Sequence, residues 1–272
     1  MGAMIGSFPR KSGIGANLRR SSKSANDWHQ YDLSAYNIRV VYQNSATFFG
    51  VQDLPHPEID NDILTAQSAI HAQHEDTFQL LQAMDEVAYA QPEDKSAYGD
   101  FATHLFRVLR YTNMAAGRFL RTRKNLFFYS CGEDRDMEID ACVMDGINVL
   151  LLVQGDWRYI DSCTPPEPQV IANAIAAFAM NNDLSIRILG HLANPLDSKV
   201  MPGITMTGTM PTFYKIPVTC DLVRAVGLGI YPPQETVVYA HFPLVPTKDQ
   251  GMKPLDNRGI ILSSYEAFKQ FV

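Results

Sequence analysis

The run Val149–Val153 (VLLLV) is the feature that most narrows what this chain can fold into. Its five apolar residues show no alternation. A strand with one wet face alternates apolar and polar side chains, so an unbroken run fits a central strand covered on both faces. Covering both faces of a sheet takes helices on both sides, which points to an α/β layered architecture. Just upstream, Asp145-Gly146 separates Ile147–Val153 from another apolar segment, MEIDACVM within 136–144, and reads as a two-residue hairpin. Just downstream, the run ends in a polar, mixed-charge tip, Gln154-Gly155-Asp156-Trp157-Arg158.

The neighbouring segments extend this pattern. Arg118–Tyr129 contains FLRTRKNLFFY, a further strand-like stretch. Before it, Phe101, Leu105, Val108 and Leu109 mark the buried stripe of a helix ending near Tyr111. After the tip, Pro165, Pro166 and Pro168 open a helix over Gln169–Met180, with Val170, Ala174, Ile175 and Phe178 on its buried side. Leu184–Leu189 is short and largely apolar. Gly203–Met210 and Thr212–Val218 read as paired strands, with Pro217 favouring an edge or a strand end. A short helix over Asp221–Gly227, a strand over Val237–Pro243 and a terminal helix over Tyr265–Phe271 complete the chain. From Glu93 the order is therefore helix, strand, strand, strand, helix, strand, a mixed central sheet flanked by helices.

Toward the N-terminus, YNIRVVYQ suggests one short strand. Asp60-Asn61-Asp62 caps a helix beginning at Ile63, and helical spacing continues to about Tyr89 with a break near His74. Residues 31–91 thus form a helical addition to a single domain spanning 31–272. Residues 1–30, rich in Ser, Gly, Lys and Arg at their start, read as a flexible basic arm.

Charge is uneven. The net charge is −6, yet Arg10, Lys11, Arg19, Arg20 and Lys23 face only Asp27 in the first thirty residues. The acidic remainder argues against a general nucleic-acid binder. One stretch runs the other way: Arg107, Arg110, Arg118, Arg121, Arg123 and Lys124 have no acidic residue among them. Arg118, Arg121, Arg123 and Lys124 could contact phosphates, or form a solvated helix end and strand edge. No apolar stretch is long enough to span a bilayer, and no secretory signal opens the chain. An intracellular place, cytoplasmic or nuclear, is expected. Cys131, Cys142, Cys163 and Cys220 are irregularly spaced and read as buried free thiols. His71 and His74 lack further ligands for zinc and read as a solvated helix face.

The chemistry concentrates at one sheet end. Asp140 lies within the middle strand, and the hairpin returns Gln154, Gly155, Asp156, Trp157 and Arg158 to the same end. Carboxylates on adjacent strands can hold a hard cation, and a nearby lysine can stabilise charge or help activate water.

Helix–strand–strand–strand–helix with an acid on the second strand and acid-x-Lys on the third resembles the PD-(D/E)xK nuclease superfamily. The segment Asp140–Phe178, GITMTGTMPTFYKIPV and LDNRGIILSSYEAFKQFV also resemble a large group of uncharacterised fungal proteins, common in mushroom-forming species; this likeness covers Tyr31 to Val272. The resemblance implies a restriction-endonuclease-like core (α-β-β-β-α-β) with a helical N-terminal addition. It places the first motif acid at Asp140, the second acid at Gly155 and the lysine at Trp157, so two charged positions are missing. Asp100 loosely matches a helix acid of the superfamily. Gln169 matches a helical glutamine of some nuclease subfamilies, whose partner tyrosine four residues on is replaced by Asn173.

Two readings of the tip remain open. Asp156-Trp157-Arg158 is itself an acid-x-base triplet displaced by one residue, which a bulge at Gly155 would bring into place. Asp140 and Asp156 would then hold Mg or Mn, with Arg158 a poor replacement for lysine. Otherwise the site is vestigial, needs no cofactor, and the chain is a degenerate nuclease fold that binds a protein or small-molecule ligand. A third expectation is an enzyme of another class reusing the pocket, with Trp157 stacking on a flat substrate.

Overall fold

The structure, a computed structural model, describes residues 14–89, 96–156 and 166–272. Its seven strands form one mixed sheet in the order β1-β7-β6-β5-β4-β3-β2. They are β1 (Ile38–Tyr42), β2 (Arg118–Ser130), β3 (Glu133–Asp145), β4 (Asn148–Asp156), β5 (Ser198–Thr207), β6 (Met210–Thr219) and β7 (Thr236–His241). The pairs β1/β7 and β4/β5 are parallel and the rest antiparallel. One face is covered by α2 (Ser45–Phe49), α3 (Asn61–Thr65), α4 (Glu75–Tyr89), α5 (Ser96–Val108) and α8 (Leu255–Phe268). The other carries α1 (Gln30–Ala35), α6 (Glu167–Leu189) and α7 (Cys220–Leu228).

The apolar run is the middle of this arrangement. Leu151 and Val153 pack on the α5 face, Val149 and Leu152 on the α6 face, and all four are buried. The β3–β4 hairpin forms as expected, with its turn shifted by one residue. Asp145 pairs with Asn148, so the loop residues are Gly146 and Ile147. Gly146 has φ +55° and Ile147 does not have a positive φ, the sign pattern of a II′ turn, whose first central position suits glycine. The β2–β3 turn is Cys131-Gly132, with φ +51° and +85°, the pattern of a I′ turn.

The β2–β3 hairpin changes faces halfway along. Leu120, Ala141 and Val143 pack on the α5 face, whereas Leu126, Phe128, Met137 and Ile139 join the α6 face. The switch falls at Arg123, a non-glycine residue with φ +50°, opposite Asp140. Beyond this point β3 no longer pairs with β4. The outer half of the hairpin folds over α6, and its tip donates from Cys131 N to Val226 O and from Gly132 N to Gly227 O, both in α7. The N-terminal half of helix α6 is thereby enclosed. All residues from Glu167 to Phe178 are buried, which suits a segment apolar on nearly every side.

Several expectations are corrected. Of the expected arm, residues 14–30 are docked against the domain, and residues 1–13 lie outside the described residues. Trp28 is buried, stacked on Tyr36 with centroids 5.2 Å apart. Ser24 Oγ donates to Asp136 O, and Lys23 pairs with Asp32 at 2.9 Å. Helix α6 runs on through Leu184–Leu189, and α8 begins at Leu255, ten residues before Tyr265. Arg258 anchors α8: it is fully buried and donates to four carbonyls, of Ile63, Ala66, Met252 and Lys253. Pro217 lies in an interior strand, but where β6 has no partner on its β7 side, so the missing N–H leaves no ladder bond unmade. Of the described cysteines only Cys142 is buried; Cys131 is half-buried and Cys220 exposed, all three free thiols. Cys163 lies outside the described residues. Among the described residues, no helix is long and apolar enough to cross a membrane.

Candidate functional site

Asp140 sits at the fork where β3 leaves β4. Its pairing with β4 stops at the next residue, Ala141, opposite Val153. The N–H of Gly155 therefore lacks a ladder partner on β3, and the Asp140 carboxylate supplies one. Oδ2 accepts from Gly155 N at 2.8 Å and from Gln154 Nε2 at 2.8 Å. Gln154 Oε1 in turn accepts from Asn173 Nδ2 at 2.9 Å. A chain of hydrogen bonds thus ties β3, β4 and α6 together. Gln154 and Asn173 are both buried, where an unmade hydrogen bond is costly.

The space on the other side of Gly155 is filled. A Cβ at this position would meet Tyr98 Cδ1 at 3.0 Å and Cγ at 3.1 Å. Tyr98 is itself buried on α5. The bulge that would bring Asp156 into the motif position is not at Gly155. Residues Gln154, Gly155 and Asp156 pair in unbroken register with Thr205, Met206 and Thr207. The irregularity in β4 lies further back, between the Val143 and Met144 pairings. Trp157 and Arg158 lie outside the described residues.

The remaining expected residues are dispersed. Asp100 is exposed on α5, while Tyr98 two residues earlier is the side chain that reaches Gly155. Gln169 is buried in the first turn of α6, and Asn173, one turn on, makes the contact with Gln154. Arg118, Arg121, Arg123 and Lys124 lie on β2, one of the two edge strands of the sheet. Arg123 faces Glu138 at 3.4 Å, and the other three form no ion pair among the described residues. Basic side chains on a free edge oppose pairing with a second sheet. His71 and His74 do not share a helix: His71 Nδ1 meets Ser68 Oγ at 2.8 Å and His74 meets Asp60 at 3.2 Å.

Asp140 Oδ2 accepts from two N–H donors, and the side chain of Asp156 lies outside the described residues. Position 155 offers no ligand. Among the described residues, no group of three or more His, Cys, Asp or Glu side chains is arranged to hold a metal ion.

A second polar group continues across the sheet on the α6 face. Thr205, the β5 partner of Gln154, donates to Tyr214 OH at 3.4 Å. Tyr42 OH donates to Glu167 Oε2 at 2.9 Å, and Gln30 Nε2 approaches Oε1 at 3.4 Å. Burial pushes the Glu167 carboxyl up, against the pull of the Tyr42 hydroxyl. Burial and the neighbouring Glu167 push Tyr42 up to about 12. Nothing in the sequence singled out Glu167 or Tyr42. Asn173 did carry a signal, as a lone amide within the apolar run VIANAIAAF.

Compared with protein-family models and with curated proteins, the sequence matches none.

Proposed function

We propose that this chain is a catalytically degenerate PD-(D/E)xK-like domain that acts by binding a protein or small-molecule ligand. The observation that carries the reading is the pair of contacts at Gly155. Where the motif acid would stand there is no side chain, and Tyr98 occupies its space. Asp140, the remaining motif acid, bonds the Gly155 N–H and the Gln154 amide. The element order α5-β2-β3-β4-α6-β5 agrees with the restriction-endonuclease-like core. The three described cysteines, all free thiols, suit a reducing intracellular compartment.

Incubating the full chain with DNA and RNA in magnesium or manganese tests the loss of cleavage. The expected result is no cleavage above a protein-free control. Cleavage by the wild type that Asp140→Asn removes would overturn the reading in favour of an active nuclease.

A further inference from the structure

The face of the sheet opposite the Asp140–Asn173 chain holds a cavity of about 470 Å³. It lies at the carboxyl ends of β1 and β7, which run parallel and adjacent. The volume falls within the range of small-molecule sites. Leu54, Phe242 and Ile260 give the cavity apolar walls.

His241 supplies its most specific group. The residue is 3% exposed. Its ring is stacked on Phe48, centroids 5.6 Å apart, and meets Phe49 edge-on at 5.0 Å. Nδ1 lies 3.0 Å from Gln43 O. A carbonyl only accepts, so Nδ1 carries the proton and Nε2 the lone pair. Burial lowers the pKa of the ring, against the opposing Gln43 bond, and favours this neutral form. No hydrogen bond from the described residues reaches Nε2. His241 lines the cavity, and its Nε2 is left as an acceptor.

The charge of the cavity is one-sided. Among the described residues, Lys248 is the only lysine, arginine or carboxylate in its lining. Its ammonium rests over the Phe242 ring, 5.3 Å from the centroid, and pairs with no carboxylate among the described residues.

We propose that this cavity binds a small monoanion with a flat apolar body and one hydroxyl or N–H donor. The donor bonds His241 Nε2, the body lies against Leu54, Phe242 and Ile260, and the anionic group meets Lys248. The proposal does not depend on the nuclease-like reading; it concerns other residues on the other face, and either can fail alone.

Calorimetric titration of the full chain with 4-hydroxyphenylacetate and phenylacetate, which differ only in the hydroxyl, is the test. The wild type should bind the hydroxylated acid about 3- to 10-fold more tightly, the worth of one net hydrogen bond. His241→Phe, which retains a ring against Phe48, should erase that difference. Lys248→Ala should weaken both acids by a similar factor. Leu54→Trp fills the cavity without changing His241, and should abolish binding of both even if His241→Phe folds poorly. No binding of either acid by the wild type at millimolar concentration would overturn the proposal. So would binding that survives Leu54→Trp, or a hydroxyl preference that persists in folded His241→Phe.

Discussion

The ring of Tyr98 occupies the volume into which a side chain at Gly155 would extend, with Cδ1 3.0 Å from the place a Cβ would take. The two residues come from α5 and β4, and both are buried. A substitution at 155 must therefore displace the tyrosine or move the strand.

This contact predicts a coupling. Gly155→Ala should destabilise the protein by about 1–3 kcal/mol, the usual cost of overpacking a filled core. In a Tyr98→Ala background the same change should cost much less. A double-mutant cycle measured by urea unfolding checks it. Additive effects would show that the strand, not the ring, limits position 155. Rebuilding a motif acid as Gly155→Glu would for the same reason require Tyr98→Ala alongside it.

Asp140 makes a separate prediction. Its carboxylate supplies the acceptor that Gly155 N lacks where β3 and β4 part. Asp140→Ala should then cost about 1–3 kcal/mol, the price of an orphaned buried donor. Asp140→Asn retains a carbonyl oxygen and should cost less. Thermal unfolding of the two variants distinguishes this structural role. Equal, negligible losses in both would mean the fork is held by other bonds.

Glu167 should leave a signature in acid. Burial raises its folded pKa above the ordinary value of 4.5. A raised carboxylate favours folding when protonated, and that advantage is lost as pH rises through the folded pKa. Glu167→Gln removes the buried charge while retaining polar groups for Tyr42 and Gln30. It should stabilise the protein at neutral pH and have little effect below pH 4.5. Denaturant midpoints of both proteins across that range give the comparison. A stability difference independent of pH would contradict it.

Arg258 is predicted to be among the least replaceable side chains. Its guanidinium serves four carbonyls and joins α8 to α3. Arg258→Met removes every donor, and each buried carbonyl left unpaired costs about 1–3 kcal/mol. The loss should exceed about 3 kcal/mol in chemical unfolding. A near-neutral result would show that water replaces the donors.

What the sequence disclosed depended on local periodicity. The unalternating run Val149–Val153 and the neighbouring Asp145-Gly146 placed the central strand and its hairpin, with only the turn residues shifted by one. The bend of β2–β3 was not legible. Leu120 and Leu126 are six residues apart, which in a regular strand puts them on one face. The left-handed backbone at Arg123 sends them to opposite faces, and a period of two cannot register such a switch. The site divides the same way. Asp140 stood out as an acid inside an apolar strand. Tyr98 did not, because its meeting with Gly155 joins residues far apart in sequence, and α5 carries several other buried aromatic and aliphatic side chains. The sequence pattern shows α8 only from Tyr265, because Gly259 and the buried polar pair Asn257-Arg258 hide its first turns.

The enclosure of α6 also dictates an order of assembly. A helix wrapped by the sheet beneath and by the hairpin above cannot be threaded in once the wrapping is complete. These contacts predict that α6 reaches the sheet before Cys131-Gly132 bonds α7 and before Ser24 reaches Asp136, a closure across 112 residues of chain. Contacts separated so widely form slowly, since their entropy cost precedes their reward. The outer hairpin and residues 14–28 are therefore expected to close last. Until it closes, the most apolar helix of the chain stands open to water.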